Sequence, residues 1–363
     1  MVNLDLLKEL AEIPAVSGNE GKLIKFSKEY MEKYADEVSV DDLGNVVGLL
    51  RGTDKEAPDL LAYAHMDEIG LMVRRIEENG FLRVERIGGI DTKGLLSREV
   101  RIITDNGVVE GVVGVKSHHV LPDEEKFLAP PYEKLYLDIG ANSFEEATDL
   151  GIKVGDMITY MPNFRVLNNR LVSSKTMDDR AGVFTVFETL ARLNKERPKA
   201  TVYFVASVQE EFSIRGIVPV FYKLKPIATI NIEVAIATDT PDLAGVAADV
   251  RLGKGPAIYR FSFHGRGTLS GNIPHPQLVR LVEKTAEESN IPFQREVARG
   301  AILESAYIQW EHGGIPCVDL GIPCRYLHYA NEVVSIEDLK LTQELLVRFL
   351  NSVDRNFKLT RCE

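Results

Sequence analysis

Apolar positions recur along this chain with two different periods. Helical spacing runs through 4–12, about 19–35, 181–193, about 215–224, about 275–289, 305–312 and 335–353. Short β-rich apolar runs stand between these stretches. The first pair, 38–40 and 45–50, flanks a turn at Asp41-Asp42-Leu43-Gly44; further runs cover 60–64, 170–173, 201–208, 228–236, 257–263, 293–297 and 316–320. Such alternation predicts an α/β domain whose central strands are covered on both faces. Punctuation supports the helices. Ser17-Gly18-Asn19 precedes the second, Ile273-Pro274 precedes the long one, and Ser335 is placed to cap the last, with Glu337 and Asp338 in its first turn.

Between 69 and 162 the helical period disappears. Short alternating runs appear instead, punctuated by Asn79-Gly80 and Asn106-Gly107. This predicts a small all-β barrel, 69–162, inserted into an α/β domain made of 1–68 and 163–363.

Composition narrows the picture. Lys+Arg number 43 and Asp+Glu 54, a net charge of −11 that disfavours nucleic acid as a partner. No apolar run approaches the roughly 20 residues of a membrane helix. The opening MVNLDLLKELAEIP is acidic and amphipathic, without a secretory apolar core, so a cytoplasmic protein is expected. Cys317, Cys324 and Cys362 are too few and too late for a disulfide framework, and are not spaced as a zinc knuckle.

Candidate chemistry gathers where apolar runs end. The run 201–208 delivers Glu210 and Glu211, so one can hold a metal while its neighbour reaches an adjacent water. His65 follows 60–64, with Asp67 two residues on as a partner for the other ring nitrogen. Asp178 and Asp179 open a helix, and Arg180 beside them could pair with Asp179. Glu233 lies inside an apolar strand, where a carboxylate needs a partner. His328 sits in a polar loop, 323–328. Singly, each also reads as a solvated carboxylate, a helix cap or an ordinary histidine. Jointly, His65, Asp178, Glu211, Glu233 and His328 form a set suited to zinc, cobalt or manganese, with Asp178 as the bridge between two ions. His118, His119, His264, His275 and His312 are set aside because none has a strand-end setting.

With these residues in view the chain resembles the tetrahedral (TET) aminopeptidases, some of which carry an endoglucanase label. The resembling stretches are AHMDEIG (64–70), KTMDDRAG (175–182), VQEEFSIRG (208–216), IEVAIATDTPD (232–242) and PCRYLHYANEV (323–333). The resemblance implies a mixed-sheet α/β metallopeptidase domain, with the insert a PDZ-like dimerisation domain and dimers assembling into a tetrahedral dodecamer. It implies two divalent metal ions per subunit, zinc or cobalt. One would be held by His65, Asp178 and Glu233, the other by Asp178, Glu211 and His328. Glu210 would be the general base, Asp67 would orient His65, and short peptides would be the substrates. The chain departs from the family at Glu233, where Asp is frequent, and at ARGAILESA (298–306), where relatives commonly carry Gly-Gly-Thr-Asp. Two alternatives stay open: a deacylase or carboxypeptidase, which would need a cation such as Arg299 or Arg325 for a substrate carboxylate, and a non-catalytic oligomeric metal-binding protein.

Overall fold

The computed structural model describes residues 2–243, 250–265 and 270–361. Among these, twelve strands join one mixed sheet. Its middle is parallel: Val202–Ser207 lies beside Leu60–His65, which lies beside Ala228–Ile236, which lies beside Cys317–Arg325. Antiparallel strands extend it on both sides. Val46–Leu50 and Glu37–Val40 stand at one edge; Glu332–Ser335, Leu171–Ser174 and Arg165–Leu167 stand at the other. A branch strand, Ala257–Phe263, pairs with Cys317–Arg325, Gln294–Arg299 and Gly271–Asn272.

The central strands are buried on both faces, as their near-continuous apolar runs require. Alternation assigns Leu60, Ala62, Phe204 and Ala206 to one core. Leu61, Tyr63 and Val205 fall to a second core on the opposite face, with Phe221 and Ile308. The long helix Met177–Lys195 packs on the first face against Leu60–His65, Ala228–Ile236 and the terminal helix Ile336–Ser352. Ser335 caps that terminal helix, accepting from the Asp338 N–H. Side chains leaving the carboxyl ends of the parallel strands therefore meet at one rim, and Ser207 is in register with His65 there.

The β-rich stretch closes into a six-stranded barrel. Its order is Gly70–Ile76, Leu82–Ile87, Leu137–Asp138, Gly107–Val113, Glu99–Thr104 and Met157–Tyr160, and it has its own core of Val73, Leu82, Ile102, Leu137 and Ile158.

Several expected elements differ. The helix expected at about 215–224 is reduced to Val220–Lys223. Pro219 disfavours a helical Val218, and Gly216 presses so closely on the Val208 carbonyl that an added Cβ would lie 1.6 Å from its oxygen. The helix expected at 305–312 stops at Ile308. Pro323, Cys324 and Arg325 are not loop: they finish the strand from Cys317. Glu332–Ser335 and Arg165–Leu167 were not anticipated, because four-residue and three-residue strands at a sheet margin carry little periodicity. Cys317 and Cys324 are buried free thiols. Cys362 lies outside the described residues.

Candidate metal centre

Asp178 is the middle of the site. Its Oδ1 stands 3.2 Å from His65 Nε2 and its Oδ2 3.3 Å from His328 Nε2, so one carboxylate spans two imidazoles. Glu233 Oε1 is 3.7 Å from His65 Nε2, and Glu211 Oε1 is 3.5 Å from His328 Nε2. Candidate ligand atoms of His65, Asp178 and Glu233 all lie within 4.8 Å of one another, as do those of Asp178, Glu211 and His328. Glu210 Oε2 approaches to 3.9 Å from His65 Nε2.

The scaffold explains each placement. His65 ends its strand, and its Nδ1 faces Asp67 Oδ1 at 3.5 Å, long for a hydrogen bond. Asp67 is buried and does more than face that ring. Its two oxygens accept from the Glu210 N–H (2.9 Å) and the Glu211 N–H (3.0 Å), and Ser17 also donates to it. One carboxylate thus fixes both the imidazole and the turn bearing the two glutamates. His328 Nδ1 lies 2.8 Å from the Gly89 carbonyl, which can only accept. That carbonyl holds a proton on Nδ1, so Nε2 is the nitrogen turned toward the carboxylates and available to a cation. Asp178 and Asp179, joined by a cis peptide, have non-helical backbones within the start of the long helix.

Charge in the cluster is unbalanced. Four carboxylates face two imidazoles, and no lysine or arginine forms an ion pair with them among the described residues. Burial, reinforced by the neighbouring carboxylates, pushes Glu210 and Glu233 well above the carboxylate range and Glu211 to about 7. Burial works the same way on Asp178, but hydrogen bonding from His328 and His65 overrides it and holds that carboxyl below its usual range. Burial would lower the His65 imidazole; the charges of Glu233 and Glu210 raise it instead. Glu211 raises His328. A mixed imidazole and carboxylate set with surplus negative charge fits divalent cations, which would replace protons as the balancing charge.

Two groups of residues escaped the sequence reading. Glu332 is buried and accepts from the Asp178 N–H at 2.9 Å and the His328 N–H at 2.7 Å, clasping two loops of the site together. Its only sequence signal is a charge leading an apolar strand. Glu304 is fully buried under the rim, accepts from Ser207 Oγ at 3.0 Å, and is raised by burial to about 8. It follows the apolar Ala301-Ile302-Leu303, the same signal that singled out Glu233. His264 does have a strand-end setting: it directly follows the strand Ala257–Phe263 and lines the cavity beside the cluster. The expected Asp179–Arg180 pairing is also absent. Arg180 turns away to the carbonyls of Leu10 and Ile13 and to Glu68, while Asp179 accepts from the Gly182 N–H. Arg325 is held bidentately by Asp239, at 2.7 and 2.6 Å, and neither it nor Arg299 lines the cavity.

Comparison with known proteins agrees with this architecture. The family profile described as M42 glutamyl aminopeptidase matches residues 44–345. SgcX of Escherichia coli (strain K12), which carries a provisional aminopeptidase name, is 43% identical over 335 residues, covering 92% of this chain and 90% of that protein. Aminopeptidase APDkam598 from the archaeon Desulfurococcus kamchatkensis has a TM-score of 0.92 at 33% identity, covering 99% of this chain and 98% of that one. The TET1 peptidase of Pyrococcus horikoshii, described as able to assemble into a tetrahedron or a large octahedral shell, has a TM-score of 0.84 at 30% identity, covering 96% of this chain and 98% of that one. The chain belongs to the M42 aminopeptidase family.

Proposed function

We propose that the protein is a metal-dependent aminopeptidase removing N-terminal residues from short peptides. The observation that carries the reading is the Asp178 carboxylate standing between two imidazoles, with a further glutamate on each side and Glu210 beside them. In this reading His65, Asp178 and Glu233 hold one cation, and Asp178, Glu211 and His328 hold another, zinc or cobalt. Bound there, the cations would lower the pKa of a water and polarise the scissile carbonyl. Glu210 takes the proton from that water and passes it to the leaving amine. Asp67 keeps His65 turned toward the site and Glu210 in reach of it. The substrate's free α-amine meets a metal or one of these acidic groups, which restricts cleavage to N-termini.

The same reading divides the chain into a catalytic domain of 1–68 and 163–363 and a PDZ-like dimerisation domain of 69–162. Exposed Val120, Phe127 and Leu128 in the segment joining two barrel strands support self-association, because large apolar side chains in water favour a covering surface. Assembly of dimers into a tetrahedral dodecamer is supported by two TET1 neighbours, one described as a dodecamer and one as able to form a tetrahedron. No helix among the described residues is long and apolar enough to cross a membrane, which accords with a cytoplasmic place.

Glu210→Gln tests the reading. Turnover of aminoacyl substrates is expected to fall by roughly 10²–10⁴ while metal content, measured by elemental analysis, stays unchanged. Full activity in that variant would remove Glu210 from the mechanism.

A further inference from the structure

The cavity beside the carboxylate cluster has a volume of about 640 Å³ and two unlike walls. One is the cluster itself. The other is mainly apolar: Ile214, Ile236, Ala301, Ile302, Leu303 and Leu327 line the cavity, along with Ser213, Tyr259, Tyr307 and Tyr329. Ala301, Ile302 and Leu303 come from the stretch 298–306. No lysine or arginine lines the cavity among the described residues. The one acid of that stretch, Glu304, is folded beneath the rim against Ser207 and does not face the space. Outside the cluster, Asp91 and the exposed His264 are the carboxylate and the imidazole that line it among the described residues. Asp91 already accepts from the Tyr329 hydroxyl at 2.8 Å and the Lys93 N–H at 3.0 Å.

We propose that the protein selects substrates whose N-terminal residue is uncharged and apolar, its side chain lying against Ile236 and residues 301–303. The inference rests on the aminopeptidase reading and sharpens it. A substrate's α-amine is held at the cluster, and its first side chain branches one bond away, so that side chain is delivered to the wall next to the cluster. Leucine or methionine covers this wall and gains by leaving water. A glutamate side chain there would be buried with no lysine or arginine facing it among the described residues. A lysine would lay its stem on the wall, but among the described residues its ammonium meets no uncommitted carboxylate beyond the cluster. Selectivity thus differs from the glutamyl preference in the family's description.

The test is a panel of leucyl, methionyl, glutamyl and lysyl aminomethylcoumarin substrates with the metal-loaded protein. The expected kcat/KM for leucyl or methionyl exceeds that for glutamyl and lysyl by at least about tenfold, the lower bound for discrimination by an apolar pocket. A smaller preference, or an inverted one, overturns the proposal and leaves the aminopeptidase reading standing. No turnover of any substrate overturns both. A second arm places a cation on the wall: Ile302→Lys, checked for folding by its melting curve, is expected to raise the glutamyl-to-leucyl ratio by about tenfold or more. An unchanged ratio in the folded variant overturns the placement of the side chain. A third arm needs no turnover: free leucine should bind the metal-loaded Glu210→Gln protein more tightly than free glutamate by calorimetry, and the reverse order also overturns the proposal.

Discussion

Residues acting through others decide how this site is held. Glu332 touches no candidate ligand side chain, yet it receives the backbone N–H groups of both Asp178 and His328. Glu332→Ala would leave two buried donors unpaired and free the loop on which His328 sits with a left-handed backbone, φ +65°. Metal affinity is expected to fall by roughly 10–100-fold, the usual cost of losing such a support, as read by calorimetric titration of the metal-stripped protein. Asp67 has the same character with larger reach, because the Glu210 and Glu211 backbones and the His65 ring depend on it together. Such roles left no mark in the sequence beyond the residue types, since a backbone N–H donor has no letter of its own.

At the turn after Val202–Ser207, packing rather than chemistry sets the limits. Gly216 lies against the Val208 carbonyl, and nothing larger than hydrogen fits in that contact. Gly216→Ala must push the turn away from the strand and carry Glu210 and Glu211 with it. The expected result is a loss of about 1–3 kcal/mol in urea unfolding, with a fall in kcat larger than stability alone explains. A variant as stable and active as the parent would show that the contact relaxes freely. The strand itself was easy to read, because five consecutive apolar positions, Val202 to Ala206, between polar ends are too short for a buried helix and too apolar for a loop. The expected 215–224 helix failed for the opposite reason: helical spacing was present, but Pro219 and the Gly216 contact overrode it.

Across the molecule, sheet and barrel are tied by a buried ionic group. Glu68 accepts from Lys175 Nζ at 2.5 Å, from the Ala15 N–H at 2.8 Å and from Thr159 of the barrel at 2.8 Å, with Arg180 3.7 Å away. Lys175→Met removes one partner and leaves a buried charge only partly balanced, so unfolding free energy should fall by about 3–5 kcal/mol in denaturant titration. The carboxylate surplus also shapes pH dependence. In the metal-free protein Glu211 is raised to about 7, and Glu304 and Glu332 to about 8, each mainly by burial. A raised pKa means that the folded state holds the proton more firmly than the unfolded chain. The stabilisation is complete below the ordinary value of 4.5 and is lost as pH rises through 7 to 8. His65 and His328, also raised, add to the same loss. The melting temperature of the metal-free protein should therefore fall between pH 5 and pH 9, and added zinc or cobalt should recover it most at the alkaline end. A flat profile without metal would contradict the charge imbalance.

The order of apolar runs, the polar residues at their ends and the β-rich insert were enough to state the fold class and to name Asp178 and the five side chains that gather around it. Periodicity and strand-end position are local properties, and both survive in a linear string. Which groups support them was not legible: Glu332, Glu304, the second task of Asp67, the turning of Arg180 toward Glu68 and the apolar wall at 301–303. These depend on which backbone donors, charges and surfaces are brought within a few ångströms across more than a hundred residues of chain, and that proximity exists only after the sheet has closed.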